Sequence, residues 1–125
     1  MESATSSSGD EHWGGAHVLL VPLPAQGHMN PMLQLGRRLA YHGLRPTLAA
    51  TRYVLSTGQP PGDPFRVAAF SDGFDAGGMA SCPDPVEYCR RAEAVGSETL
   101  AQVIAAETLA GRAPSVMVYD PHINY

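Results

Sequence analysis

His17-Val18-Leu19-Leu20-Val21-Pro22-Leu23, followed by Pro24-Ala25-Gln26-Gly27-His28-Met29-Asn30-Pro31-Met32, is the stretch that decides the fold. The first seven residues form a short apolar run with β-branched members, the pattern of a strand buried on both faces. Asn30 suits a helix cap and Pro31 the first helical position, where its missing N–H costs nothing. Met32, Leu35 and Leu39, with Leu33 beside them, give one apolar helical face that runs to about His42, and Gly43 supplies the stop. A strand, a short glycine-containing loop and a capped helix are half of a βαβ unit.

Working outward, Pro46 to Ala50 reads as a second strand, and Thr51 to Pro64 as irregular chain with one helical turn near Tyr53 to Ser56. Phe65 to Phe70 reads as a third strand. Ser71 to Pro85 is expected to be a long loop, because Gly73, Gly77, Gly78, Pro83 and Pro85 exclude regular structure. A helical region opens at Asp84 or Pro85 and reaches about Ala110, with Gly96-Ser97 expected to kink it or split it in two. Ser115 to Tyr119 is a fourth apolar strand, which delivers Asp120 to its carboxyl end. The elements predict an α/β, Rossmann-like parallel sheet in a doubly wound order 3-2-1-4.

That order makes strands one and four neighbours and the topological switch point, where ligands bind outside the carboxyl ends of the strands. His28 follows strand one and Asp120 follows strand four, so one crevice should receive both. Near a helix N-terminus an imidazole tends to stay neutral and able to accept a proton. A carboxylate beside it could hold one ring nitrogen and stabilise the imidazolium as it forms. The plainer readings are that His28 is a polar loop residue and that Asp120 caps a helix beginning at Pro121.

Four blocks in order, "HVLLVPLPAQGHMNPMLQLGRRLA", "FSDGFDAGG", "VGSETLAQVI" and "VMVYDP", closely resemble the N-terminal half of plant family 1 UDP-dependent glycosyltransferases. The resemblance spans His17 to Pro121, and its nearest subgroup is glucosyltransferases for small aromatic acids, auxin-like acids and related acceptors. It implies a two-domain GT-B architecture, of which residues 17–125 would be an incomplete N-terminal, acceptor-side domain behind a disordered lead-in of residues 1–16. The family pattern makes His28 the catalytic base and Asp120 its orienting partner. Gly27 and His28, with Phe74 and Met79 from the third-strand loop, would contact a small phenolic or carboxylic acceptor. The co-substrate would be a UDP-sugar, expected to be UDP-glucose, bound mainly by a C-terminal half that these residues do not contain; no metal or cofactor is implied. Residues His122 to Tyr125 depart from the apolar, tryptophan-bearing stretch expected after the aspartate.

The implied chemistry is inverting transfer. His28 would take a proton from an acceptor hydroxyl as its oxygen attacks the anomeric carbon and displaces the nucleoside diphosphate. A phenol, with a pKa of about 10, needs that base; a carboxylic acid, with a pKa of about 4, arrives ionised and needs it less. The alternative is a catalytically inactive acceptor-binding remnant or interaction module, with strand four left as an unpaired apolar edge. A dinucleotide-dependent oxidoreductase is disfavoured, because the loop after strand one holds a single glycine and strand two ends in Ala50-Thr51-Arg52 rather than an acidic residue.

Composition narrows the partners. The hydrophobic fraction of 44% in 125 residues is enough for one packed core, and a net charge of −4 argues against nucleic acid or an anionic membrane. All eight basic side chains are arginine, scattered along the chain, and read as solvated helix faces rather than a phosphate patch. Residues Met1 to Ala16 lack the apolar core of a signal peptide, and no run approaches the roughly 18 apolar residues of a membrane span, so a cytoplasmic location is expected. Cys82 and Cys89 match no zinc or redox spacing and are expected to be free thiols.

Overall fold

The computed structural model describes residues 15–23, 26–58 and 61–120. The lead-in through Gly14, the Pro24-Ala25 step and residues 121–125 lie outside the described residues. The elements run β1 (His17–Val21), α1 (Gln26–Tyr41), β2 (Arg45–Thr51), α2 (Arg52–Ser56), β3 (Arg66–Phe70), a 3-10 turn (Met79–Ser81), α3 (Pro85–Leu109) and β4 (Val116–Tyr119). All pairings are parallel, in the order β3-β2-β1-β4. The order expected from the sequence is therefore the order observed.

The two-residue period of the central strands builds a core on each face of the sheet. Val18 and Leu20 of β1, with Leu48 and Ala50 of β2, pack against Met29 and Met32 of α1 and against Phe65. Leu19, Val21 and Ala49 point the other way, where Phe70 and Leu100 of α3 complete a second cluster. Leu20 and Val21 are wholly buried. Burying side chains of this size contributes about 1.5–3 kcal/mol each, so the two central strands carry much of the hydrophobic driving force.

Three expectations about the helices need correction. α1 starts at Gln26 and not at Asn30-Pro31, so Pro31 sits inside the helix, beyond the first turn, and forfeits one backbone hydrogen bond. The earlier start places Met29 in helical register with Met32, and both are buried against the sheet. The buried face also runs through Gly36 rather than Leu35, which is 37% exposed. A Cβ on Gly36 would stand 2.8 Å from Leu20 Cδ1 and nearer still to the Phe65 ring, so glycine lets helix and sheet approach closely there. Gly43, at φ +90°, ends α1 as expected, and the Leu44 amide donates to the Leu39 carbonyl at 3.0 Å.

α3 is one helix of 25 residues, not two. Asp84 caps it, its carboxylate accepting the Val86 amide at 3.0 Å. Gly96-Ser97 does not break it because Gly96 is buried in a row with Tyr88, Ala92 and Leu100, and that contact outweighs the roughly 1 kcal/mol backbone cost of a helical glycine. β4 is the exposed edge: Val116, Met117 and Tyr119 are 53%, 44% and 56% exposed, and only Val118 packs toward the α1-side core. No described helix is long and apolar enough to cross a membrane.

Candidate functional site

Because β1 and β2 are parallel, α1 must return from the carboxyl end of β1 to the amino end of β2, which puts its N-terminus beside the end of β1. Gly27 and His28 lie in the first turn of α1. Their side-chain surroundings fall outside the described residues. His28 is thus a helical residue, not a loop residue, and occupies the turn where unpaired backbone N–H groups give positive potential.

Asp120 comes to the same end by a different route. Val21 and Tyr119 are register partners in the β1–β4 pair, and the Asp120 amide donates to the Val21 carbonyl at 3.1 Å. This bond continues the ladder one residue past β4 and holds Asp120 at the carboxyl end of β1. The residue is buried, 8% exposed. The helix turn that carries His28 and the strand end that carries Asp120 therefore leave the sheet from two adjacent strands, at the switch point.

A polar web ties down the loop after β3 on the same end. Asp72 is 1% exposed. One of its carboxylate oxygens accepts the Tyr88 hydroxyl at 2.7 Å and the other accepts the Phe74 amide at 3.0 Å. The Ser71 amide donates to the Thr99 hydroxyl at 3.0 Å, joining the loop to the middle of α3. Ser71 Oγ donates to Asp75 Oδ1 at 2.7 Å, and the other Asp75 oxygen pairs with Arg52 at the start of α2, at 3.3 Å. Gly73 and Gly78 have positive φ, and a Cβ on Gly78 would collide with the Tyr53 ring.

Phe74 packs on Tyr88 with ring centroids 5.0 Å apart, and the Arg91 guanidinium lies 5.1 Å from the same ring. Met79 opens the 3-10 turn and is 37% exposed. Sequence reasoning named Phe74 but missed Asp72 and Tyr88, which hold it. Asp72-Gly73 carries the signature of a turn in which aspartate bonds the backbone two residues on, a usable local signal. Nothing local announces a tyrosine 16 residues later. Cys82 and Cys89 are free thiols, as expected. Among the described residues no cluster of His, Cys, Asp or Glu could hold a metal ion.

Residues 15–58 match the family model for the glycosyltransferase N-terminal domain. The chain is 67% identical to the UDP-glucosyltransferase UGT13248 of Hordeum vulgare over 98% of its own length and 27% of that protein's. It is 42% identical to the indole-3-acetate beta-glucosyltransferase of Zea mays, over 87% of this chain and 23% of that one. Among solved structures, Os79 from O. sativa in complex with U2F and trichothecene superposes with a TM-score of 0.81 at 68% identity, covering 85% of this chain and 24% of that chain. The chain thus spans about a quarter of the length of the curated relatives it matches.

Proposed function

From the premise that the chain belongs to the plant UDP-glycosyltransferases and forms the N-terminal part of their GT-B fold, we propose that it supplies the acceptor side of an inverting UDP-sugar-dependent transferase. His28 is the general base and Asp120 orients it. The observation that carries this reading is the Asp120 amide bond to Val21, which anchors a buried carboxylate at the switch point beside the helix turn bearing His28.

In the reaction, an acceptor oxygen attacks the anomeric carbon of the UDP-sugar, glucose being the sugar, while the acceptor proton passes to His28. The bond to the diphosphate breaks on the opposite face, and UDP departs. Asp120 fixes the ring tautomer and stabilises the imidazolium that forms; the imidazolium then gives the proton to solvent, so His28 is neutral again before the next turnover. Gly27 permits close approach at the helix turn, while Phe74 and Met79 form part of the acceptor wall. The whole takes place in the cytosol on a small plant metabolite.

A hydroxyl acceptor is the first reading, supported by the solved relative, which is 68% identical and holds a trichothecene. A carboxylate acceptor is the second, supported by the more distant indole-3-acetate relative. The two are separated by His28→Ala in a full-length enzyme carrying this sequence. Loss of a general base lowers turnover of a phenol by about 10²–10⁴-fold, but affects an already ionised carboxylate far less. Full activity toward phenols in that variant overturns the assignment of the base.

A further inference from the structure

The loop after β3 takes its shape from α3 rather than from its own chain. Residues 71–78 form no regular element, and Gly73 and Gly78 within them have positive φ. Glycines at these positions permit the turn but do not select one conformation. α3, by contrast, is fixed from its first turn. The Asp84 carboxylate caps it, and the Asp84 carbonyl accepts the Tyr88 amide at 3.0 Å. Tyr88 also begins the buried row that continues through Ala92 and Gly96 to Leu100, which belongs to the core against β1.

The Tyr88 hydroxyl is therefore presented to the loop by a rigid support, with the residue 7% exposed. It donates to Asp72 Oδ2 at 2.7 Å, and Asp72 Oδ1 accepts the Phe74 amide at 3.0 Å. The Phe74 carbonyl in turn accepts the Gly78 amide at 2.8 Å. Both backbone groups of Phe74 are thus committed, and its ring rests on the Tyr88 ring and under Arg91. Gly73 makes room for this arrangement, since a Cβ there would stand 2.9 Å from Arg91 Nε. Phe74 itself is only half-buried.

Two other side chains hold the loop, and neither does the same work. Thr99 bonds both backbone groups of Ser71, the residue directly after β3, and so secures the root of the loop. Arg52 pairs with Asp75 in an exposed contact, of a kind that salt and water weaken. Only the Tyr88–Asp72 bond is buried and continues to Phe74, and hydroxyl-to-carboxylate bonds are among the stronger ones.

We propose, on the reading that Phe74 belongs to the acceptor wall, that Tyr88 is a positioning residue for the acceptor. It acts through Asp72, which sets where Phe74 stands. The affinity for the acceptor depends on it, and the rate of transfer does not.

The test is Tyr88→Phe in a full-length enzyme carrying this sequence, a change that deletes one oxygen and keeps the ring. The acceptor is para-nitrophenol, acidic enough to arrive largely ionised, so the result does not hang on His28. Acceptor KM should rise about tenfold, with kcat and the UDP-glucose KM within about twofold of their original values. Hydrogen exchange of residues 71–81 should quicken while that of β1 and β2 stays the same. Phe74→Ala should raise acceptor KM by itself. Adding Tyr88→Phe to it should raise KM by less than about twofold more, because two changes that act through one side chain do not add. A raised KM in Phe74→Ala with an unaltered one in Tyr88→Phe overturns the proposal and leaves the wall in place. An unaltered KM in both removes the wall and the proposal together. Independent, multiplying effects in the double variant, or equal rises in KM for acceptor and UDP-glucose, also overturn it, because Tyr88 would then only stabilise the domain.

Discussion

The two ends of the sheet handle polar groups in opposite ways. At the carboxyl end, Asp72, Ser71, Thr99 and Tyr88 satisfy one another within a closed web, and the Asp120 amide is satisfied by β1. At the amino end, Glu107 binds Arg66 and Arg112, Arg45 lines the same open groove, and the His17 ring nitrogen has no partner among the described residues. The first arrangement fixes geometry, which a reaction centre requires. The second gathers positive charge at a strand edge around one buried carboxylate.

Both ends rest on the same strands, so the deepest perturbation should not discriminate between them. Leu20→Ala removes a wholly buried side chain from the centre of β1 and should cost about 2–5 kcal/mol, read by chemical denaturation. The carboxyl-end web and the basal groove should then melt in one transition. Separate transitions would show that the two ends fold independently.

The web and the groove should respond differently to loss of their acids. Asp72→Ala leaves the Tyr88 hydroxyl and the Phe74 amide without their carboxylate, and about 1–3 kcal/mol should be lost. Glu107→Gln keeps a polar partner for Arg66 and Arg112 and should cost less, about 1 kcal/mol. A loss at Glu107→Gln as large as that at Asp72→Ala would show that the two acids are held alike.

The smallest effect is a pH dependence confined to the amino end. The folded-state pKa of His17 lies below the ordinary 6.5, so the unfolded chain binds the extra proton first. The stability contributed by the neutral ring is complete above about pH 6.5 and declines as pH falls below it. Charged or titrating groups that shape this behaviour are Arg45 from β2, Arg66 from β3, Glu107 from α3 and Arg112 beyond it. The Glu107 carboxyl is held below 4.5, first by its hydrogen bond from Arg112, so its contribution is lost only at more acid pH. His17→Gln should therefore flatten the stability curve just below about pH 6.5 and leave the steeper acid limb in place. A curve unchanged in both ranges would remove His17 from the account.

Patterns local to the chain revealed the strands, their order and the placing of Asp120. The unbroken apolar run in "HVLLV" reports burial on both faces, and β-α-β connections leave few chiral choices. Where two local signals competed with tertiary packing, packing won. Asn30-Pro31 looks like a helix start, yet burial of Met29 draws the helix back to Gln26; Gly96-Ser97 looks like a break, yet a buried Gly96 sustains one helix. The basal arginines were illegible for another reason. Residues 45, 66 and 112 converge only once strand register is known, and no window of sequence contains them together.

Turnover of a phenolic acceptor by Asp120→Asn, in a full-length enzyme carrying this sequence, tests the central claim most directly. The substitution keeps the size and the backbone bond to Val21 while removing the charge proposed to orient His28. The account predicts a fall in kcat of about 10²-fold or more with little change in acceptor KM. A variant that keeps wild-type kcat would contradict the account and leave Asp120 as a buried strand-end residue without a part in the chemistry.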